Sequence, residues 1–265
     1  MTRHISKCAH EIEHYLKCVT VRSIDDITPA AEAMREFSES HGFRAALCAD
    51  VANTEMMVDS RGGILAETVF GWCGENPRWW ANRYLGLESP LALACRYESD
   101  PFWVNSAGFH GPSSNPYLSA IDMRGHFLTN KIYRSAIVVP VHLPFAQVSA
   151  NSFHPIDAQT DDLSESFAQI GSLLGLFTRR FIAGYVATMR DKRRIPSACE
   201  LTKREVECLR WAAIGKTDRE IGIILRLSHA AVRYHVQRAG DKLNAVNRAQ
   251  TVFKAGQLGF LGANS

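Results

Sequence analysis

Apolar residues recur at helical spacing over residues 5–17 and 30–41, and again over 162–189. That period predicts three amphipathic helices. Between them, residues 42–48, 65–72, 135–141 and 147–153 are short segments that read as strands. Pro77 opens a further helix through WWANRYL. Residues 105–116 are rich in Gly, Pro, Ser and Asn and predict a loop. Helices flanking a mostly antiparallel sheet give an α+β sandwich as the expected fold of the front of the chain.

The pattern changes after Pro196, which disfavours helix at the residue before it. Thr202-Lys-Arg-Glu205 is a capping box: the hydroxyl takes one free helix amide, and the carboxylate reaches back for another. The helix it opens carries Val206, Leu209 and Ala213 and ends at Gly215. Thr217-Asp-Arg-Glu220 is a second box, followed by Ile221, Ile224 and Leu225. Ser228 caps a third helix that runs to about Leu243. Asn247 with Gln250 starts a fourth, with Val252, Phe253 and Leu258 apolar. The second and third helices are separated by about three residues, the spacing of a helix-turn-helix.

The third helix, HAAVRYHVQRAGDKL, points to a chemistry. At about 100° per residue, Val232, Val236, Ala239 and Leu243 fall within about 60° and form a core-facing seam. Ala230, Arg233, Tyr234, Gln237 and Asp241 fall opposite. Small Ala230 allows close approach, and Arg233 and Gln237 stand one turn apart. Arg reads a guanine edge in bidentate fashion and Gln an adenine edge. Lys216, the amide end of the second helix at Thr217, Arg238 and Lys242 are candidates to hold phosphates, with His229 at the start of the reading helix.

Charge sharpens this division. Residues 1–189 hold 15 Lys/Arg against 20 Asp/Glu, whereas residues 196–265 hold 11 against 6. Between them stands RDKRR at 190–194. An acidic body joined by a basic hinge to a basic tail suits a nucleic-acid reader with another module in front. Residues 1–189, 190–199 and 200–265 are therefore read as front domain, linker and DNA-binding domain.

Composition narrows the class. Hydrophobic residues make up 46% and charged residues 22%, an ordinary soluble balance. The first residues lack the apolar run of a signal peptide, and the longest uncharged stretch, 135–156, contains Pro140, Pro144 and Pro155. Seven cysteines, odd in number and without C-x-x-C spacing, fit a reduced cytoplasmic protein with buried thiols. No membrane association is expected.

One motif points elsewhere. His10-Glu11-Ile12-Glu13-His14 fits H-E-x-x-H, the zinc-peptidase pattern. A zinc site needs a third protein ligand. The extended motif would need Gly at 17 and His at 20, where Lys17 and Thr20 stand, and nothing marks one of Glu32, Glu36 and Glu39 as a substitute. No enzyme activity, catalytic residue, metal or resident cofactor is expected.

Leu201 to Glu205, Gly215 to Ile221, Ser228 to Val232, His235, Lys242-Leu243 and Asn247-Arg248 resemble the C-terminal domain of LuxR-type transcription regulators. The resemblance implies a four-helix domain that pairs through its last helix and binds a two-fold operator. Arg233 and Gln237 would reach bases, with Lys216 and Thr217 beside the backbone. The implied partners are double-stranded DNA, a second copy of the chain and RNA polymerase.

Over residues 30–190 the order Pro77, Trp80, Tyr84, Ser89-Pro90, Pro101-Phe102-Trp103, Pro140 and Ser152-Phe153 resembles the autoinducer-binding domain of the same family. That family binds N-acyl-homoserine lactones. By this resemblance Trp80 donates to the lactone carbonyl, Tyr84 and Trp103 shape the pocket, Ser89 faces the ligand amide and Ser152 supports its carbonyl. Ser89 stands where the family has Asp, and a neutral oxygen accepts about half as strongly as a charged one. Asn76 replaces a tyrosine, about four residues are missing before Ser89, and Ala146 and Ser149 replace glycines. Three readings of the front domain follow: a different small effector, weak lactone binding, or a ligand-independent module for dimerisation or partner docking. A phosphorylated receiver is set aside because the front half lacks a repeated βα pattern.

Overall fold

The computed structural model describes residues 2–52, 56–72, 84–112, 114–129, 132–189 and 201–262. The chain divides into two compact units, Met1–Leu143 with Gln147–Asp191, and Lys192–Ser265 with Pro144–Ala146. The basic hinge, Pro77, Trp79 and Trp80 lie outside the described residues.

In the front unit, α1 (Thr2–Cys18) and α2 (Ile27–Ser40) precede strand β1 (Phe43–Cys48). Short helices α3 (Leu65–Thr68), α4 (Leu85–Glu88) and α5 (Pro90–Ala94) lead to β2 (Phe102–Asn105) and β3 (Gly108–His110). Then come α6 (Met123–Thr129), β4 (Ser135–Leu143), β5 (Gln147–Pro155) and the long α7 (Ser164–Met189). The strands form one antiparallel sheet in the order β1-β5-β4-β2-β3.

Cross-strand partners share a face, so the register sorts the sheet into two sides. Ala45, Phe153, Ile137 and Trp103 form a row on one side. This side packs on Ile27, Met34 and Phe37 of α2 and on Leu174, Phe177 and Phe181 of α7, all buried. Ala46, Ser152, Val138 and Phe102 form the matching row on the other side. There Phe102, Val104, Ala136 and Val138 pack on Ala94 and Cys95 of the α5 turn, on Leu118 and on Met123. The α+β sandwich is present, with helices on both faces.

Two local readings need correction. Residues 65–72 are not a strand: Leu65–Thr68 is a helical turn, Thr68 Oγ1 donates to Ile64 O at 3.0 Å, and Gly71 has φ +69°. The buried apolar positions are 65, 66, 69, 70 and 72, and the first four have helical spacing rather than alternation. Residues 105–116 are not loop throughout, because β3 pairs with β2. Asn105 Oδ1 accepts from the Ala107 amide at 2.9 Å and Gly108 takes φ +135°, which closes a tight hairpin. Polar composition concealed that turn.

Cys48, Cys95 and Cys208 are buried, while Cys18 is exposed. Burial pushes the Cys48 thiol up to about 11, which removes its nucleophilic thiolate at neutral pH.

In the tail unit, α8 (Lys203–Ala213), α9 (Asp218–Leu225), α10 (His229–Lys242) and α11 (Arg248–Gln257) enclose Cys208, Leu209, Ile221, Val232, Val236, Ala239, Leu243 and Ala255. Each start is sealed as its cap residue predicts. Glu205 N donates to Thr202 Oγ1 at 3.3 Å and Glu220 N to Thr217 Oγ1 at 3.3 Å. Ala231 N donates to Ser228 Oγ at 3.1 Å and Gln250 N to Asn247 Oδ1 at 2.9 Å. The turn between α9 and α10 is tight: Arg226 is left-handed at φ 55°, and Leu227 N donates to Gly222 O at 2.8 Å.

Candidate functional site

The α9–turn–α10 corner fixes which side of α10 faces outward. Val232, Val236, Ala239 and Leu243 are buried in the tail core. That burial leaves His229, Ala230, Arg233, Tyr234, Gln237, Arg238 and Asp241 exposed. Tyr234 is 60% exposed, far more than an aromatic ring serving the core. The outward surface is a row of donors and one ring around a small residue, on a helix whose inner seam holds it rigid. Its dimensions suit a major groove, which admits one α-helix.

Several flanking side chains are spoken for within the domain. Thr217 Oγ1 caps α9, and Thr217 N donates to Glu220 Oε2 at 2.8 Å. The amide proposed for phosphate is thus already taken by the capping box. Lys216 Nζ lies 3.5 Å from Glu220 Oε1 in a half-exposed pair and stays at the surface. Lys242 differs more: its ammonium donates to Glu205 Oε2 at 2.8 Å, and its side chain is only 21% exposed. It braces α10 against the start of α8 instead of reaching out to a phosphate. Burial pushes the Glu205 carboxyl up, but Lys242 and the Thr202 amide outweigh it and hold the group below its ordinary range.

Arg248 has a role the sequence reading missed. Its guanidinium pairs with Asp218 and donates to Lys216 O at 2.7 Å. It therefore ties the start of α11 to the start of α9 and sets the backbone that carries Lys216 and Thr217. The signal was an arginine directly after the Asn247 cap, facing an acidic residue directly after the Thr217 cap.

Residues 200–255 match the profile of the bacterial regulatory proteins of the luxR family, GerE. The match covers the tail unit, from just before α8 into α11. The chain is 32% identical over 122 residues to the transcriptional activator protein VanR of Vibrio anguillarum, covering 46% of this chain and 50% of VanR. It is 40% identical over 103 residues to the quorum sensing-dependent regulator VjbR of Brucella ovis, covering 39% of this chain and 37% of VjbR. The match thus spans half or less of these curated relatives. SdiA in complex with octanoyl-rac-glycerol superposes over 98% of both chains with a TM-score of 0.51 at 16% identity. The two share a fold, with a mixed front unit and a LuxR-type helical tail.

The front-unit candidates do not assemble as the resemblance implied. Trp80 lies outside the described residues. Tyr84 is 64% exposed, so its ring does not line an interior. Ser89 caps α5, its oxygen accepting from Ala92 N at 3.4 Å with Pro90 following at the first helical position; Ser-Pro is a helix-start pair before it is anything else. Trp103 is buried and stacked on His110, with centroids 3.9 Å apart. It sits on the α2–α7 side of the sheet, whereas Ser152 sits on the opposite side. These two cannot share one pocket, because neighbours along a strand point to opposite faces. The residue of that segment beside the Ser152 row is Phe102.

The Ser152 side carries other features. Ser152 Oγ lies 2.9 Å from His154 Nε2. A cavity of about 640 Å³ opens on this side; Phe102, Phe109, Leu118 and Met123 line its apolar part, and the rest is polar loop with the charged side chains of Asp122 and Arg124. Elsewhere, His10 and His14 are exposed on α1. Among the described residues no three His, Cys, Asp or Glu side chains gather as a metal site requires. No described helix is long and apolar enough to cross a membrane.

Proposed function

We propose that this chain is a sequence-specific DNA-binding transcription regulator. It acts as a homodimer on a two-fold operator, under the control of a small effector held in the front unit. The observation that carries this reading is the outward face of α10. Arg233 and Gln237 stand exposed one turn apart on a helix whose opposite seam is locked into a LuxR-type core.

Each copy presents one reading helix, so a two-fold pair reads two half-sites in inverted order, about one helical turn apart or a multiple of it. Arg233 and Gln237 contact base edges. His229, Ala230 and Tyr234 sit at the groove wall, and Lys216 and Arg238 hold phosphates. RNA polymerase is the partner through which bound regulator would alter transcription. The effector reading draws on the shared fold with SdiA, whose complex holds octanoyl-rac-glycerol. The chemistry carried over is an uncharged acyl compound, a class that includes acyl-homoserine lactones.

Footprinting of the full chain on genomic fragments at modest ionic strength tests the regulator reading. The expected result is paired protection with two-fold symmetry. Protection that follows no sequence would overturn it.

A second reading has its own support: the front unit serves dimerisation or partner docking without ligand. Ser89 is engaged as a cap and Tyr84 faces solvent, so the lactone-amide shell is not assembled among the described residues. Sedimentation with and without acyl-lactones separates the two. A dimer of unchanged affinity favours the second reading, and ligand-dependent pairing favours the first.

A further inference from the structure

His154 is half-buried in the front unit, but its Nδ1 is shielded from solvent and has no hydrogen-bond partner among the described residues. A buried polar atom left unmatched is costly, and folded proteins leave few of them. The surroundings are built rather than incidental. The Tyr133 ring lies 4.3 Å from the His154 ring, and Trp72 meets it edge-on at 5.7 Å. Trp72 is itself pinned, its indole donating to Ala45 O at 2.6 Å. Arg44, the cross-strand partner of His154, holds its guanidinium over Trp72 at 5.8 Å and faces the Tyr133 phenol. The cation position of this aromatic group is thus already filled from within the protein.

His154 shares its sheet face with Ser152, and through the Ser152 row with Phe102, which lines the 640 Å³ cavity. Two strand spacings, about 10 Å, separate Phe102 from Ser152. Helix α6 runs over the same region. Met123 and Arg124 line the cavity, and His126, three residues on from Met123, lies close enough to His154 to oppose its protonation.

We propose that His154 is the specificity-determining post of the effector site, donating from Nδ1 to a carbonyl oxygen of an uncharged ligand whose apolar tail occupies the Phe102–Met123 side of the same sheet face. In this assignment the Ser152 hydroxyl, 2.9 Å from Nε2, is the donor of that contact, which leaves the ring proton on Nδ1. Burial disfavours a charged ring, so the ligand meets a neutral donor and carries no carboxylate or ammonium. The inference rests on the effector-controlled reading above and gives that reading a particular residue.

The test uses the full chain and three probes: 1-octanoyl-rac-glycerol, N-octanoyl-homoserine lactone, and 1-O-octyl-rac-glycerol, an ether with the same chain and head but no carbonyl. Affinities are measured by calorimetry on the native chain, His154→Phe and His154→Asn. The native chain is expected to bind at least one carbonyl probe about tenfold more tightly than the ether, the size of one well-made hydrogen bond. His154→Phe keeps the ring volume and is expected to bring the ester and ether affinities together. His154→Asn retains a donor near Nδ1 and is expected to restore part of the preference. Equal binding of ester and ether by the native chain, a preference that survives in His154→Phe, or no saturable binding of any probe would each overturn the assignment. The same samples are footprinted, so an intact operator footprint beside any of these outcomes removes the His154 assignment and leaves the regulator reading standing.

Discussion

At the scale of single residues, two side chains do work that their type alone did not announce. Lys242 looked like a phosphate contact because it is basic and near the end of the reading helix. The structure gives it to Glu205, half-buried between α10 and α8. Lys242→Ala is therefore expected to destabilise the tail by about 1–3 kcal/mol, because it leaves a buried carboxylate without its cation. The salt dependence of DNA binding should stay unchanged, whereas loss of a phosphate contact would lower its slope by about one; melting and salt titrations of one variant decide between them. His154 supplies a pH prediction. Burial lowers its pKa from 6.5 to about 3, and nearby His126 adds to the effect. Between those values the unfolded chain holds a proton that the folded chain refuses, so stability is complete above about pH 6.5 and is lost as pH falls towards 3. Half-buried His126 is lowered in the same direction by its partial burial. Chemical denaturation between pH 7 and 5 is expected to show this fall, with a shallower slope in His154→Phe.

At the scale of elements, the tail was legible because its signals are local. Each of its four helices starts at a side chain that bonds the amide three residues on, and such pairs can be read directly from sequence. The seam of α10 followed from period alone. The front sheet was partly legible: β4 is a long apolar run, but β5 interleaves Ser, Asn and His with its apolar residues, and the β2–β3 hairpin turns at Asn105 and Gly108 inside a stretch whose composition reads as loop. The effector site was least legible. Which of Phe102 and Trp103 faces Ser152 depends on a register set between strands distant in sequence, and a shift of one residue reverses the answer. The helix-turn-helix corner yields its own prediction. A Cβ at Gly222 would stand 2.7 Å from Leu227 O, which is backbone and cannot swing aside. Gly222→Ala, ordinarily favourable within a helix, is expected to cost about 1–3 kcal/mol and to weaken DNA binding by splaying α9 from α10. Melting and footprinting of that variant check it; a stabilised protein would contradict this tight contact between Gly222 and Leu227.

At the scale of the whole molecule, charge and sequence reading separate. The excess of basic over acidic residues lies in the tail and the hinge, which gives affinity for any duplex, whereas the α10 face chooses among duplexes. Lys216→Ala is expected to weaken binding to operator and non-operator DNA alike and to reduce the salt slope. The most direct measurement of the central claim is a binding-site selection with the full chain carrying Arg233→Ala, set beside the native chain and Gln237→Ala. Arg233→Ala is expected to lose preference at one symmetric pair of operator positions, by about 1–3 kcal/mol per half-site, with the other positions retained. An unchanged selected sequence would contradict the assignment of α10's outer face as the surface that reads DNA.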